Sequence, residues 1–296
     1  MHYLGKFFHP RKKTTFFGLY DFDENLVYPI ESILYPNKTG EPFNFNQLRP
    51  LLCIQPSKII GIGKNFKAHA KEFNSEIPKE PIVFLKSPDS ITGPEEKIIL
   101  PDSIGQVDYE GEIGVVIKKE TYKISEENVL DYVLGYTCGN DVTARDLQKQ
   151  DGQWARSKSF KTFCPVGPWI LPATEFPKYQ NLSLKTFVND KPVQIAKASS
   201  MIFSIPYLIS FISRTMTLQP GDIILTGTPA GVGELKRNYK VSIEIEPIGT
   251  LTNRVVGELG GKGENQKNIK SNALPSPLPL SMSMPQHTTT TVLEKK

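Results

Sequence analysis

Two glutamates and an aspartate carry the clearest chemical signal in this chain. The stretch Asp108-Tyr109-Glu110-Gly111-Glu112-Ile113-Gly114-Val115-Val116-Ile117 sets two carboxylates two residues apart at the start of a β-branched run. Side chains alternate along a strand, so Glu110 and Glu112 project to one face, while Ile113, Val115 and Ile117 project to the other and read as core. Two enclosed carboxylates this close repel, so one must hold a proton or both must share a cation. A solvated pair at a hairpin end is the competing reading. Asp141, in Gly139-Asn140-Asp141-Val142-Thr143, follows a second β-branched strand and could close a three-carboxylate site. Hard oxygen donors suit Mg²⁺, Mn²⁺ or Ca²⁺ and disfavour Zn²⁺ or copper. Mg²⁺ keeps coordination positions for water or substrate, so a site of this type is built for chemistry.

Proton transfer needs a different group. The chain has four histidines, and His2, His9 and His287 lie near its ends. His69, in Gly61-Ile62-Gly63-Lys64-Asn65-Phe66-Lys67-Ala68-His69-Ala70-Lys71-Glu72, is the interior candidate near neutral pH. On a helix His69 and Glu72 are i, i+3 neighbours, and the carboxylate could orient the imidazole and support its protonated form. An ordinary surface His–Glu pair is the alternative. Gly61-x-Gly63 lacks the third glycine of a dinucleotide fingerprint, which speaks against a nicotinamide enzyme. In Trp154-Ala155-Arg156-Ser157-Lys158-Ser159-Phe160-Lys161, Lys158 could hold negative charge that builds up during reaction, although most lysines are simply solvated. Cys138 reads as a small buried residue, and Cys164 has no histidine near it in sequence to activate it. The turn Leu225-Thr226-Gly227-Thr228-Pro229-Ala230-Gly231-Val232-Gly233 lacks the Gly-Lys-Ser/Thr end of a P-loop. Its small residues let backbone N–H groups and threonine hydroxyls approach an anionic ligand.

Short β-branched runs punctuated by Gly and Pro must position these groups. Ile59–Ile62, Ile82–Leu85, Ile98–Leu100, Glu112–Ile117, Leu184–Val188, Ile223–Thr226 and Val241–Ile245 predict strands of a mainly β domain over 56–257. Two helices are expected. One follows Ser125 as N-cap, with Val129, Tyr132, Val133 and Tyr136 on one face; the other covers Met201 to Ser213, with Pro206 kinking it or sitting in its first turn. Residues 1–55 read as a small β-rich unit opening with strands Tyr3–Phe8 and Thr14–Tyr20 around a basic turn. That reading is preferred to a transit peptide because the start lacks an apolar h-region and a Ser-rich amphipathic stretch. From 258 to 296 the Gly-Gly, Asn-rich, Pro-Ser-Pro and Thr-rich stretches carry no periodicity and read as a disordered tail.

Composition bounds the function classes. Of 296 residues, 39% are hydrophobic and 22% charged, enough to bury a sizeable core. The net charge of +4 is too balanced to argue for nucleic acid, and no run approaches a membrane-spanning length. Three cysteines cannot form a disulfide framework, which fits a reducing compartment, the cytoplasm ahead of the mitochondrial matrix.

Taken in order, these motifs resemble the fumarylacetoacetate hydrolase (FAH) superfamily from about Lys58 to Val256, most closely its short FAH-domain-containing protein 2-like members. The resemblance implies a mixed α/β, mainly β catalytic roll behind a small N-terminal domain, usually as a homodimer. It implies Glu110, Glu112 and Asp141 as Mg²⁺ or Mn²⁺ ligands and Lys158 as a substrate-oxygen contact. Gln148 and Thr228 would bind substrate, and His69 with Glu72 would form the lid dyad of hydrolase and decarboxylase branches. The expected substrate is a short 2-oxo or 2,4-dioxo carboxylate. C–C hydrolysis of an acylpyruvate is the leading expectation. Oxaloacetate tautomerisation or decarboxylation and hydroxymuconate-type isomerisation or hydration are the alternatives, and a catalytically impaired metabolite-binding homologue is the rival from another class. Lys64 replaces a common Arg, Phe66 a common Tyr and Lys161 a common Asp. Those changes leave the metal site untouched and bear on substrate preference and activity.

Overall fold

The computed structural model describes residues 1–72 and 75–258; the stretch 259–296, nearly all of the expected tail, lies outside the described residues. All seven strands expected in the catalytic domain form, as Ile59–Gly63, Ile82–Lys86, Lys97–Leu100, Gly111–Ile117, Ser183–Val188, Ile223–Leu225 and Lys240–Glu246. The β-branched side chains of these runs find a pleated, buried surface on which to pack.

The largest sheet has 12 strands. Its main path runs Phe43–Asn44, Leu26–Ile30, Thr14–Asp21, His2–His9, Cys164–Pro172, Val133–Asn140, Gly111–Ile117, Ile223–Leu225, Ile59–Gly63, Ile82–Lys86. The first strands of the chain thus extend the central sheet, with Leu4 paired to Ile170. A sheet of five strands, Lys191–Lys197, Ser183–Val188, Lys240–Glu246, Gly249–Gly257 and Lys97–Leu100, packs against the central strands. Ile113, Tyr136, Leu184, Ile243, Ile245 and Leu251 form part of the shared core. Fully buried strands read as continuous apolar runs, and Gly111–Ile117 and Val133–Asn140 are buried at every position.

The expected helix after Ser125 is a correction. Glu126–Tyr132 is a short 3₁₀ segment, and Val133 and Tyr136 belong to the strand Val133–Asn140. The Ser125 side chain makes no cap hydrogen bond. Val133–Asn140 is flanked by strands on both sides, and sheet pairing overrides the helical spacing of its apolar residues. The later helix spans Ile205–Ser213 rather than starting at Met201. The Ser204 hydroxyl caps it by accepting from the Tyr207 N–H at 3.2 Å, and Pro206 sits in the first turn, where no N–H is needed. Met201 instead forms an isolated bridge with Phe66.

Candidate active site

The central strands deliver the acids to one level of the sheet. Gly111 pairs with Asn140, so Glu110, just before the strand Gly111–Ile117, lies beside Asp141, just after the strand Val133–Asn140. The Asp141 N–H donates to the Glu110 carbonyl at 2.8 Å, and the Glu110 N–H donates to Asn140 Oδ1 at 3.0 Å. These backbone bonds fix the two side chains relative to each other. One carboxylate oxygen from each of Glu110, Glu112 and Asp141 lies within 4.8 Å of the others, and all three residues are buried. The enclosed arrangement expected from the sequence is present; the solvated hairpin end is not.

Three buried cations answer the acids. Lys158 Nζ lies 3.0 Å from Glu110 Oε2, 2.5 Å from Asp141 Oδ2 and 2.8 Å from Thr143 Oγ1, with the Phe84 ring 4.8 Å away. Lys86 Nζ donates to the other Asp141 oxygen at 2.5 Å. Arg145 donates from Nη2 to Glu110 Oε1 at 2.6 Å, from Nε to Asp108 Oδ2 at 2.8 Å and from Nη1 to Gln148 Oε1 at 2.7 Å. Glu112 differs: among the described residues it forms no ion pair, and its Oε2 accepts from the Gly227 N–H at 2.7 Å.

The ionisation of the glutamates follows from these contacts. Burial pushes the Glu110 carboxyl up, but the charges of Lys158 and Arg145 outweigh it and hold the group down at about 2. Burial, then the charges of Asp141 and Glu110, push Glu112 well above the usual carboxylate range. For Lys158, burial disfavours the ammonium, but Asp141 and Glu110 more than compensate and keep it protonated. Four carboxylates, counting Asp108, face the cations Lys86, Arg145 and Lys158. The cluster is therefore short of positive charge, and Glu112 carries the deficit. A divalent ion fits this donor set: it would replace the proton on Glu112 and make the centre net positive toward an anionic substrate.

The remaining expected residues converge on the same place. A cavity of about 200 Å³ is lined by His69, Glu110, Glu112, Asp141, Gln148, Lys158 and Thr228, together with Lys64, Phe84, Arg145 and Trp154. Glu72 reaches it through His69, whose Nδ1 lies 3.2 Å from Glu72 Oε2 on the short helix Lys67–Glu72. The other Glu72 oxygen accepts from the Gly231 N–H at 3.0 Å, docking the helix on the glycine-rich turn. Thr228 Oγ1 donates to the Gly111 carbonyl at 2.9 Å.

Of the three departures from the family pattern, Lys64 lines the cavity, Phe66 is buried and forms a backbone bridge with Met201, and Lys161 is exposed and does not line the cavity. Lys64 holds φ +59°, a strained backbone for a residue with a Cβ. Asn65 pins the same segment: its Nδ2 donates to the carbonyls of Thr226 and Phe203, and its Oδ1 accepts from the Phe203 N–H.

Sequence reasoning missed Lys86, Arg145 and Asn65. Lys86 ends an apolar strand, where a lysine normally marks the solvated edge. Arg145 shares a motif with Asp141 and Gln148 and was legible only as one charge among several.

Residues 58–256 match the family model described as fumarylacetoacetate (FAA) hydrolase C-terminal. The chain belongs to the FAA hydrolase family. It is 47% identical over 212 residues to the oxaloacetate tautomerase YisK of Bacillus subtilis, covering 68% of this chain and 70% of that one. It is 42% identical over 210 residues to the mitochondrial oxaloacetate tautomerase Fahd2a of Rattus norvegicus, covering 68% and 67%. The solved structure of a 5-carboxymethyl-2-hydroxymuconate delta-isomerase from Mycobacterium smegmatis superposes with a TM-score of 0.78 at 40% identity, covering 87% of this chain and 99% of that one. This FAA hydrolase family member is an enzyme, and its mainly β fold is that of the superfamily. Among the described residues no helix is long and apolar enough to cross a membrane.

Proposed function

We propose that this enzyme interconverts the keto and enol forms of a short 2-oxo dicarboxylate, with oxaloacetate as the substrate of choice. This reverses the order of the expectations from sequence, which put acylpyruvate hydrolysis first. The observation that carries the reading is a His–Glu pair facing a carboxylate cluster and Lys158 across one small cavity. Keto–enol exchange asks for one proton to move between C3 and the 2-oxo oxygen, with no water to position. The cavity, at about 200 Å³, is smaller than the roughly 300–1,000 Å³ typical of drug-sized ligands, which favours a compact substrate. The tautomerase names of the Bacillus and rat relatives support the same reaction.

The residue roles follow. A divalent ion held by Glu110, Glu112 and Asp141 supplies, when bound, a Lewis acid for the substrate carboxylate and 2-oxo oxygen. His69, oriented through Nδ1 by Glu72, removes the C3 proton. The C3–H electron pair forms the C2=C3 bond, the 2-oxo oxygen takes the resulting negative charge, and Lys158 balances it until the proton held by His69 is delivered to that oxygen. Gln148, held by Arg145, and Thr228 frame the substrate. Lys64 is the lining cation whose ammonium forms no ion pair among the described residues, and it receives the second carboxylate. Mg²⁺ or Mn²⁺ is the ion of choice, since every proposed ligand is a carboxylate oxygen. A homodimer suits the sheet edge Ile82–Lys86, where exposed Leu85 would be covered by a second copy. The cytoplasm is our preferred compartment, with the mitochondrial matrix as the alternative suggested by the rat relative's name.

The test supplies enol-oxaloacetate and follows loss of its ultraviolet absorbance with Mg²⁺, with Mn²⁺ and with EDTA. Metal-dependent acceleration without pyruvate, oxalate or CO₂ release is the expected result. Release of pyruvate from an acylpyruvate, with no effect on the enol, would replace this reading with hydrolysis. Isomerisation of a hydroxymuconate-type dienol is the second reading, favoured by the Mycobacterium smegmatis structure, and uses the same proton transfer over a longer conjugated chain.

A further inference from the structure

The peptide between the two glutamates is held by side chains, where the strand ladder stops. Along its edge toward Ile223–Leu225, the ladder of the strand Gly111–Ile117 runs from Gly114 to Val116, and its last backbone bond toward Gly111 is at Ile113. Beyond Leu225 the chain turns away as Thr226-Gly227-Thr228-Pro229. The Thr226 N–H and hydroxyl both donate to the Ile113 carbonyl, at 3.1 and 2.9 Å, and the Thr228 hydroxyl donates to the Gly111 carbonyl at 2.9 Å. The Gly111 N–H donates at 3.0 Å to Gln194 Oε1. Gln194 Nε2 donates to Thr228 Oγ1 and to the Pro229 carbonyl, both at 2.8 Å. Gly111 N–H, Gln194 amide, Thr228 hydroxyl and Gly111 carbonyl thus close a ring of hydrogen bonds on the residue that separates Glu110 from Glu112.

Gln194 is unusual for its strand. Lys191–Lys197 is an edge strand with exposed or half-buried side chains, apart from Gln194, which is 1% exposed. Burying a primary amide is unfavourable unless its donors and acceptor are matched, and here all three bonds are made. The site leaves little room for anything else: a Cβ on Gly111 would meet Thr186 Oγ1 at 2.1 Å and Gln194 Oε1 at 3.1 Å. The same loop reaches the acid–base pair. Gly231, whose N–H holds Glu72, has φ +97° and passes so close to Lys191–Lys197 that a Cβ would lie 2.0 Å from the Val193 carbonyl.

We propose that Gln194 is a positioning residue of the catalytic centre. It fixes the Gly111 peptide, and with it the spacing of the Glu110 and Glu112 carboxylates, and it anchors the 228–231 loop on which Glu72 docks. The Thr228 hydroxyl proton is committed to this ring, so toward a ligand that side chain can only accept. The role concerns ligand geometry and is independent of which 2-oxo acid is turned over.

The full chain carrying Gln194→Met keeps the approximate size of the side chain and removes all three bonds. Mn²⁺ affinity is read by electron paramagnetic resonance titration without substrate, folding by near-ultraviolet circular dichroism, and kcat and KM with enol-oxaloacetate. A folded variant should bind Mn²⁺ about tenfold more weakly or worse, as removal of outer partners of metal ligands does. Its kcat should fall more than its KM rises. Unchanged Mn²⁺ affinity in the folded variant overturns the proposal. Should Gln194→Met fail to fold, Thr228→Val and Thr228→Ser decide. The serine keeps the hydroxyl and should retain Mn²⁺ affinity, whereas the valine should lose it; equal affinities overturn the role. A wild-type chain that binds no Mn²⁺ overturns both this role and the metal centre, whereas a chain that binds Mn²⁺ but leaves enol-oxaloacetate untouched sinks only the keto–enol reading.

Discussion

Glu112 and Asp141 have opposite electrostatic positions although both are buried carboxylates. Asp141 receives two lysines, while Glu112 receives one backbone N–H and no cation among the described residues. Because burial and the neighbouring acids raise Glu112 above its unfolded value, its ionisation opposes folding of the metal-free chain, and the penalty grows as pH rises. Glu112→Gln should therefore raise the melting temperature of the EDTA-treated protein near pH 8. The gain should shrink toward acidic pH, where the unfolded Glu112 is protonated too. The same variant should lose metal-dependent turnover by about a hundredfold or more, a split that a merely structural glutamate would not give. Lys86→Met removes one partner of the buried pair with Asp141 and should cost roughly 3–5 kcal/mol in urea denaturation. His69→Ala should lower kcat by roughly 10²–10⁴ while leaving Mn²⁺ binding intact. Lys64→Met should raise KM for oxaloacetate more than it lowers kcat, and a proportional fall in kcat alone would remove Lys64 from substrate binding.

At the scale of elements, what matters is how closely the central strands approach. A Cβ on Gly135 would lie 2.1 Å from the Leu171 carbonyl, a backbone atom of the neighbouring strand Cys164–Pro172 that has no rotamer by which to move away. Gly135→Ala should therefore destabilise the fold by roughly 1–3 kcal/mol, measured by urea denaturation with metal present and absent. The strands were legible because β-branched runs between Gly and Pro leave few alternatives. The segment from Ser125 to Tyr136 was not, because Val129, Tyr132, Val133 and Tyr136 fall on a helical stripe by spacing. Only the strands on either side show that the second half of that run is sheet interior. Asn65 illustrates the same limit: its worth lies in carbonyls more than 130 residues away.

At the scale of the whole molecule, burial governs the thiols, and a metal held at the proposed centre would add to stability. Burial pushes Cys53, Cys138 and Cys164 each up to about 12, so the thiolate is scarce at any ordinary pH. The native protein should leave these three thiols unreactive toward a thiol reagent at pH 8 and release them on unfolding in guanidinium. Rapid labelling of a folded chain would contradict the burial of these three side chains. A metal that binds the native centre and not the unfolded chain should add about 2.7 kcal/mol at a hundredfold excess over its dissociation constant. EDTA should accordingly lower the melting temperature, and Mg²⁺ or Mn²⁺ should restore it.

The sequence by itself determined the β-rich scaffold and which residues are candidates for the centre. Carboxylates two apart before a β-branched run, one interior histidine and an ordered series of motifs are local facts, fixed by residue type and spacing. What only the tertiary structure decided is the balance of charge around them. Whether a carboxylate is paired, protonated or available to a cation depends on side chains that arrive from distant strands. Lys86 comes to Asp141, Arg145 bridges Asp108 and Glu110, Gln194 closes on Gly111, and Glu112 is left without a partner cation among the described residues. Coulombic and hydrogen-bond energies are set by distances of a few ångströms in a buried setting, and spacing along the chain does not encode those distances.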